Sequence, residues 1–193
     1  MLHHQELTYC VAAGAEGRFR GLSVREVYLW VSDVLRRAFE RNAIHVDPAA
    51  LRTDKSDRMR DDALPCFAVP TRHEITSGGR KLVGSAQRWS RRGFVQHGSV
   101  LMEIDSTLWS KVLGGDAAAT TKTVGVAELS GKPLTTSQLV QLLATEFQRT
   151  LGEPASENEL LPYEMKMATA LAQEKYASPE WNVLRRPVAA SIR

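Results

Sequence analysis

The chain has 193 residues, of which 43% are hydrophobic and 24% are charged, a composition typical of one globular domain with its own core. Its two cysteines lack metal-ligand spacing, which argues against a disulfide framework and a zinc site. No apolar run reaches the roughly 18 residues of a membrane span, and no signal-peptide layout is present, so the sequence predicts a cytoplasmic protein.

The predicted elements begin with a strand over residues 6–13, where β-forming residues predominate. A helix follows from Ser23, which forms a capping-box pattern with Glu26 and precedes an apolar stripe at helical spacing. We expect this helix to end near Arg41. Residues 47–62 are charged and lack periodicity, which predicts an exposed loop.

Three short strands and three helices complete the predicted elements. The second and third of these strands are typical of a hairpin, with Gly93 at the turn. The longest of these helices begins at a second capping position, Thr135 or Thr136, and stops at Gly152. The order of the elements predicts a single domain of mixed α/β or α+β class, and we predict the α+β class. The strands cover residues 66–69, 81–88 and 94–103, and the helices cover 106–113, 135–151 and 162–176.

Positive charge is concentrated in residues 72–92. The formal net charge is +3, and this stretch holds six basic side chains against one acid, Glu74. Such a concentration suits an acidic protein or a nucleic acid, and the alternative is a solvated face. Nucleic-acid binding ranks last, because no aromatic platform or known motif accompanies the charge. The basic residues are Arg72, Arg80, Lys81, Arg88, Arg91 and Arg92.

The segment "GGRKLVGSAQRW", residues 78–89, combines a lysine with a strand of unusually small side chains. Lys81 precedes Gly84, Ser85 and Ala86, and a glycine within a strand often marks the close approach of a ligand or another backbone. A flexible cation beside nearly bare backbone predicts a slot for a carbonyl group or a negative charge. The alternative is a surface lysine beside a turn.

Cys66 is the candidate nucleophile. It lies in "LPCFAVP", a short apolar segment bounded by prolines, and a cation such as Lys81 would favour its thiolate. The alternative for Cys66 is a small buried side chain, and this is the only interpretation for Cys10. For His97 the alternative to a functional role is a hydrogen-bonded core histidine. No G-x-S-x-G elbow and no P-loop occur.

Residues 66–105, "CFAVPTRHEITSGGRKLVGSAQRWSRRGFVQHGSVLMEID", strongly resemble the lipoate-attachment family of lipoate–protein ligases and octanoyltransferases. The core of the likeness is "GRKLVGSAQ…QHGSVL". "LHHQELTY" at residues 2–9 is similar to the end of the family's "RRxTGGRAVLHxxELTY" segment, and "EKYASPEWN" at residues 174–182 also fits. The resemblance implies a biotin/lipoyl protein ligase-like catalytic domain, with a mixed β-sheet flanked by helices.

Within this family, a cysteine at the "CF" position is typical of the octanoyltransferase branch, where it accepts the acyl group. The resemblance therefore implies that Cys66 takes octanoyl from acyl carrier protein and passes it to a lysine of a lipoyl domain. It also implies that Lys81 contacts the acyl carbonyl, and that neither a cofactor nor a metal is needed. The acyl pocket implied by family position comprises His3, Gly84, Ser85, Ala86, His97, Gly98 and Ser99.

The family places "RRxTGG" before the positions that match Leu2 and His3, and this sequence lacks it. We therefore expect a natural protein that is longer, with residues 1–151 forming an N-terminally incomplete catalytic domain and residues 152–193 a helical extension and tail. The alternatives are an ATP-dependent lipoate–protein ligase, an amidotransferase between lipoyl proteins, and an inactive homologue that only binds. The oligomeric state is not predicted.

Overall fold

The computed structural model describes residues 4–48, 74–112, 121–131 and 134–188. The chain divides into two compact units, Met1–Glu153 and Pro154–Arg193, each of which is described by itself. The strand predicted over residues 66–69 and most of the loop predicted over residues 47–62 lie outside the described residues. In the described part of the chain, no helix combines the length and the apolar character needed to cross a membrane.

The described strands and helices of the first unit follow one another in the predicted order, with short elements added. The added elements are a 3-10 helix (Gly17–Phe19), a strand before the 81–88 segment and a helix after residue 125. The strands are β1 (Glu6–Gly14), β2 (Ile75–Ser77), β3 (Arg80–Ser90) and β4 (Gly93–Leu101). The helices are α1 (Val24–Arg41), α2 (Ser106–Val112), α3 (Val126–Ser130) and α4 (Thr136–Leu151).

The four strands form one sheet in the order β1-β4-β3-β2, and every neighbouring pair is antiparallel. The predicted hairpin is confirmed, because β3 and β4 pair continuously and only Arg91 and Arg92 separate them. β2 pairs with β3 through a register shift after Ile75. A parallel bridge between Lys81 and Thr123 adds a further chain segment beside β3.

The predicted capping box of α1 and the predicted capped start of α4 are both confirmed. The Ser23 hydroxyl accepts a hydrogen bond from the Glu26 N–H at 3.2 Å, and the Glu26 carboxylate accepts one from the Ser23 N–H at 2.7 Å. Thr135 and Gln138 make the same reciprocal pair at the start of α4. α1 and α4 therefore begin and end where their capping residues predict.

The core of the first unit lies between the sheet and α1, with α4 packed on the outer side of α1. From Leu7 onward in β1, the odd-numbered side chains are partly buried on the α1 side and the even-numbered ones are exposed, as a half-covered strand requires. The residues that α1 and α4 contribute to the main core cluster are Val31, Leu35, Ala38, Phe39, Leu139 and Leu143.

The second unit contains α5 (Pro162–Ala170), a π-helical continuation over Leu171–Tyr176 and α6 (Pro179–Asn182). Pro162 occupies the first turn of α5, as the sequence predicts. The Lys175 ammonium lies 4.4 Å from the centre of the Trp181 ring and 5.1 Å from that of Tyr176. This cation–π contact ties the π-helical segment to α6.

Candidate active site

Lys81 is a buried cation. Its side chain is 2% exposed, and its Nζ lies 2.5 Å from Oε1 of Glu74, whose side chain is 6% exposed. The interpretation of Lys81 as a surface lysine beside a turn is therefore wrong. The sequence also missed Glu74, the single acid of the basic stretch, because seven positions and a turn separate it from Lys81.

The backbone of Lys81 is held from both sides. Its N–H donates to the Lys122 carbonyl at 2.8 Å and its carbonyl accepts from the Val124 N–H at 3.0 Å, while β2 pairs with it through Thr76. A lysine side chain is long and flexible, so a fixed backbone and a buried carboxylate together define where its ammonium lies.

Asp47 fixes the turn that precedes Lys81. Its carboxylate accepts hydrogen bonds from the Thr76 hydroxyl at 2.7 Å and from the Gly78 and Gly79 N–H groups at 2.9 and 2.8 Å. Partial burial acts to raise the pKa of Asp47, but the hydrogen bonds from Gly79, Thr76 and Gly78 outweigh it and hold this pKa below its usual value. The turn therefore carries an ionised carboxylate at neutral pH.

The described residues of the predicted acyl pocket lie on adjacent rungs of β3 and β4, and their side chains point to both faces of the sheet. The paired positions are Gly84 with Ser99, Ser85 with Gly98 and Ala86 with His97. Strand alternation places Ser85 and Gly98 on the α1 side and the other four on the opposite face. These residues are therefore neighbours in the two paired strands, but their side chains lie on opposite faces of the sheet.

Two tyrosines meet at Ser85. The Tyr9 hydroxyl lies 2.6 Å from the Ser85 hydroxyl, and the Tyr28 hydroxyl donates to the Ser85 carbonyl at 3.4 Å. Burial raises the pKa of Tyr9, and burial raises that of Tyr28 to about 12, with smaller contributions from Tyr9 and Glu74. Both phenols are therefore neutral at physiological pH. The proximity of Glu74 contributes to the raised pKa of Tyr28.

A chain of polar side chains continues from this cluster along the α1 face. Gln96, which is fully buried, donates to the Tyr9 hydroxyl at 3.5 Å and accepts from Gln87 at 3.0 Å. Gln87 in turn accepts from the Trp89 indole N–H at 2.8 Å. The two glutamines lie in the "GSAQ" and "QHGS" segments of the sequence. Their hydrogen bond to each other could not be predicted, because it depends on the register of the hairpin.

Gly98 is a strand glycine that a neighbouring backbone and a tyrosine ring approach closely, and the close approach expected at Gly84 stays a prediction. A Cβ added at Gly98 would lie 2.3 Å from the Gly84 carbonyl oxygen, 2.8 Å from Cε1 of Tyr9 and 2.9 Å from the Ser85 hydroxyl. Such distances do not occur for real Cβ atoms, so the ring of Tyr9 occupies the space that a side chain here would take. The absent side chain thus lets Tyr9 reach Ser85.

Two interpretations of single residues are corrected. Cys10 is exposed, not buried, because it lies at an even-numbered position of β1 that faces away from α1. His97 is exposed and is not a core histidine, because it faces the same open side of the sheet as Cys10, its cross-strand neighbour. His3 and Cys66 lie outside the described residues, so their places in the site stay predictions.

The described part of the basic stretch does not form one surface, and Arg72 lies outside the described residues. Lys81 is buried against Glu74, and Arg80 pairs with Glu128 at 2.7 Å. Arg88, Arg91 and Arg92 are exposed at the other end of the hairpin, beside a groove of about 490 Å³ lined by residues of β1, β3 and β4. A strand rises about 3.3 Å per residue, so Arg88 lies about 23 Å from Lys81 along β3. In the described ranges, no three His, Cys, Asp or Glu side chains gather as a metal site would need.

Curated relatives of the chain are octanoyltransferases. It is 30% identical over 196 residues to octanoyltransferase LipM of Bacillus subtilis, covering 96% of this chain and 70% of that protein. It is 31% identical over 196 residues to octanoyltransferase LipM of Symbiobacterium thermophilum, covering 95% of this chain and 70% of that protein. The chain therefore spans about two thirds of the length of these relatives.

Solved structures with the same fold are lipoate–protein ligases. A lipoate–protein ligase A bound with ATP has a TM-score of 0.73 at 18% identity, with 92% of this chain and 65% of that chain covered. The bi-partite lipoate protein ligase of Thermoplasma acidophilum, studied with its E2 lipoyl domain, has a TM-score of 0.69 at 16% identity, with 96% and 67% covered. These structures confirm the predicted α+β fold of the catalytic domain.

The model of the biotin/lipoate A/B protein ligase family matches residues 1–105, which include β1, α1 and the whole β2–β4 segment that positions Lys81. This match agrees with the resemblance read from "GRKLVGSAQ…QHGSVL". The chain belongs to the biotin/lipoate A/B protein ligase family.

Proposed function

We propose that this chain is an octanoyltransferase of lipoate biosynthesis, which moves an octanoyl group from acyl carrier protein through Cys66 to a lysine of a lipoyl domain. Membership in the family and the octanoyltransferase relatives support this proposal. The observation in the structure that carries it is the buried ammonium of Lys81, fixed through its backbone and through Glu74. A fixed cation that is largely shielded from water is better suited to stabilising the charge that develops in acyl transfer than to holding a partner at the protein surface.

The role of Lys81 follows from its burial. An ammonium beside an acyl carbonyl polarises the carbonyl and stabilises the oxyanion that forms when a nucleophile adds. Charge–dipole interactions of this kind are stronger where water is excluded, as at a side chain that is 2% exposed. The same positive charge would favour the thiolate of Cys66 if the two residues meet in the site.

The proposed reaction has two acyl transfers. In the first, the Cys66 thiolate adds to the octanoyl thioester carbonyl, the bond to the phosphopantetheine sulfur breaks, and that sulfur leaves as a thiolate that takes up a proton. In the second, the ε-amine of the lipoyl-domain lysine adds to the acyl-enzyme, the bond to the Cys66 sulfur breaks, and the amine loses a proton. Thioester exchange is nearly balanced and amide formation is downhill, so ATP is not consumed.

Intact-mass spectrometry tests the proposal. The chain mixed with octanoyl-acyl carrier protein is expected to gain one octanoyl group, and Cys66→Ala is expected to gain none. Cys10→Ala is the matched control, because Cys10 is the other cysteine of the chain and lies exposed on β1. Transfer to a lipoyl domain that needs ATP and free octanoate, and that survives in Cys66→Ala, would instead identify a lipoate–protein ligase. An acyl-enzyme formed only from an octanoylated lipoyl protein would identify an amidotransferase.

We also propose that the acidic acyl carrier protein docks at the exposed end of the β3–β4 hairpin. Exchange of Arg91 and Arg92 for glutamate is expected to raise KM for octanoyl-acyl carrier protein about tenfold, equivalent to about 1.4 kcal/mol, because rim charges act on the encounter of partners. The value of kcat and the KM for the lipoyl domain should stay unchanged.

The matched control for this docking surface is Arg37→Glu, which changes an exposed arginine near the end of α1. Both variants are compared at low and high ionic strength. An equal rise of KM in the control, or a rise that salt does not diminish, would place the carrier elsewhere.

A further inference from the structure

We propose that Glu74 is the positioning residue of the active site and that it acts through Lys81. This inference rests on the proposed function, since it assigns to Glu74 the placement and the charge of the cation that polarises the acyl carbonyl. Neither the family match nor the names of the relatives assign a role to this carboxylate.

The contact between the two residues is a buried, charge-assisted hydrogen bond. The distance from Lys81 Nζ to Glu74 Oε1 is 2.5 Å, and the side chains are 2% and 6% exposed. By contrast, the neighbouring pair of Arg80 and Glu128 is 37% and 57% exposed at 2.7 Å. One residue along β3 thus separates a solvated ion pair from a desolvated one.

Burial gives the carboxylate its importance. Removing an ammonium from water is costly unless an opposite charge lies close to it, and the Glu74 carboxylate lies in contact with the Lys81 ammonium. The pair also limits the rotamers of a side chain with four rotatable bonds, which fixes the direction in which the ammonium presents its donors. A neutral or displaced amine would polarise a carbonyl far less.

Three described neighbours of the pair do not supply a counter-charge to Lys81. Tyr28 on α1 and Tyr9 on β1 have raised pKa values and remain neutral, so neither supplies a counter-charge. Lys122, whose carbonyl accepts from the Lys81 N–H, has an exposed side chain. The Glu74 carboxylate, by contrast, is in direct contact with the ammonium of Lys81.

A double-mutant cycle on the rate of acyl-enzyme formation tests the proposal. Glu74→Gln is expected to lower the single-turnover acylation rate about 100-fold, because small misplacements of a catalytic group have effects of this size. In a Lys81→Met background, Glu74→Gln is expected to change the remaining rate less than threefold. Additive effects of the two substitutions would mean that Glu74 does not act through Lys81, and would overturn the proposal.

Two further variants separate positioning from general folding. Glu74→Asp keeps the charge and shortens the side chain by one methylene. Its acylation rate is expected to be at least tenfold higher than that of Glu74→Gln. Glu128→Gln makes the same chemical change at the solvated pair and is expected to leave the acylation rate unchanged. Thermal unfolding of each variant is recorded, and a rate loss in Glu128→Gln equal to that in Glu74→Gln would also overturn the proposal.

A readout independent of activity follows the ammonium itself. In protein labelled with ¹⁵N-lysine, the ammonium resonance that disappears in Lys81→Met belongs to Lys81. We expect it to shift or vanish in Glu74→Gln and to persist in Glu128→Gln. An unchanged Lys81 resonance in Glu74→Gln would overturn the proposal. If the parent chain transfers no octanoyl group while this resonance still depends on Glu74, the proposed function fails and the control of Lys81 by Glu74 stands.

Discussion

Replacement of Lys81 by methionine is expected to lower the free energy of unfolding by about 3–5 kcal/mol, even though methionine is less polar and of similar length. The reason is Glu74, whose side chain is 6% exposed and which would lose its contact with the ammonium in a place removed from water. The same variant is expected to lose 10²- to 10³-fold in acyl-enzyme formation, as removal of an oxyanion donor usually does. Urea unfolding and single-turnover mass spectrometry measure the two effects.

Arg80→Met is the matched control for this loss of stability. Arg80 precedes Lys81 in β3 and also pairs with a glutamate, but both partners are well exposed. Its replacement is therefore expected to cost less than about 1 kcal/mol. Lys81→Met combined with Glu74→Gln should regain most of the lost stability without regaining activity. Equal losses for Arg80→Met and Lys81→Met would contradict the buried pair.

Replacement of Gly98 by alanine is expected to destabilise the protein by about 1–3 kcal/mol or more, although alanine is the smallest possible change. The new Cβ would fall 2.3 Å from the Gly84 carbonyl oxygen, a backbone atom that the sheet holds in place, and 2.8 Å from the Tyr9 ring. To relieve the clash, β4 must separate from β3 and Tyr9 must release the Ser85 hydroxyl. Urea unfolding measures the loss.

Gly14→Ala is the matched control for Gly98. Gly14 is the last residue of β1 in the same sheet and pairs with Gly93. The nearest atom to a Cβ added there is the Arg92 carbonyl oxygen at 3.8 Å, which is an ordinary contact. The change is expected to alter stability by less than about 0.5 kcal/mol. A loss as large as that of Gly98→Ala would show that strand glycines matter here for a reason other than close approach.

The elements that sequence reasoning predicted are those with local signals. Ser23 and Thr135 mark helix starts through side-chain contacts to residues three positions on, and such contacts are visible in the sequence. The β3–β4 hairpin is similarly local. β2 and α3 were missed because three and five residues are too few for a periodic pattern to appear.

The candidate site could be predicted only in part, because its chemistry depends on contacts between distant positions. Lys81 stood out as a residue type, but its burial and its pairing with Glu74 depend on the register shift in β2 and on residues 122–124. The split of the pocket residues between two faces follows from strand alternation, which the sequence could have shown. The contribution of Cys66 stays a prediction.

The two backbone hydrogen bonds between Lys81 and residues 122–124 also have a consequence for the order of folding. They join positions about 40 residues apart, so a loop of that length must close before the strand segment around Lys81 is complete. The hairpin of β3 and β4 is local and can form earlier. We therefore expect the amide protons of Lys81 and Val124 to gain protection from exchange with solvent together, after those of the hairpin. The ability to polarise a carbonyl would then be among the last properties that this chain acquires as it folds.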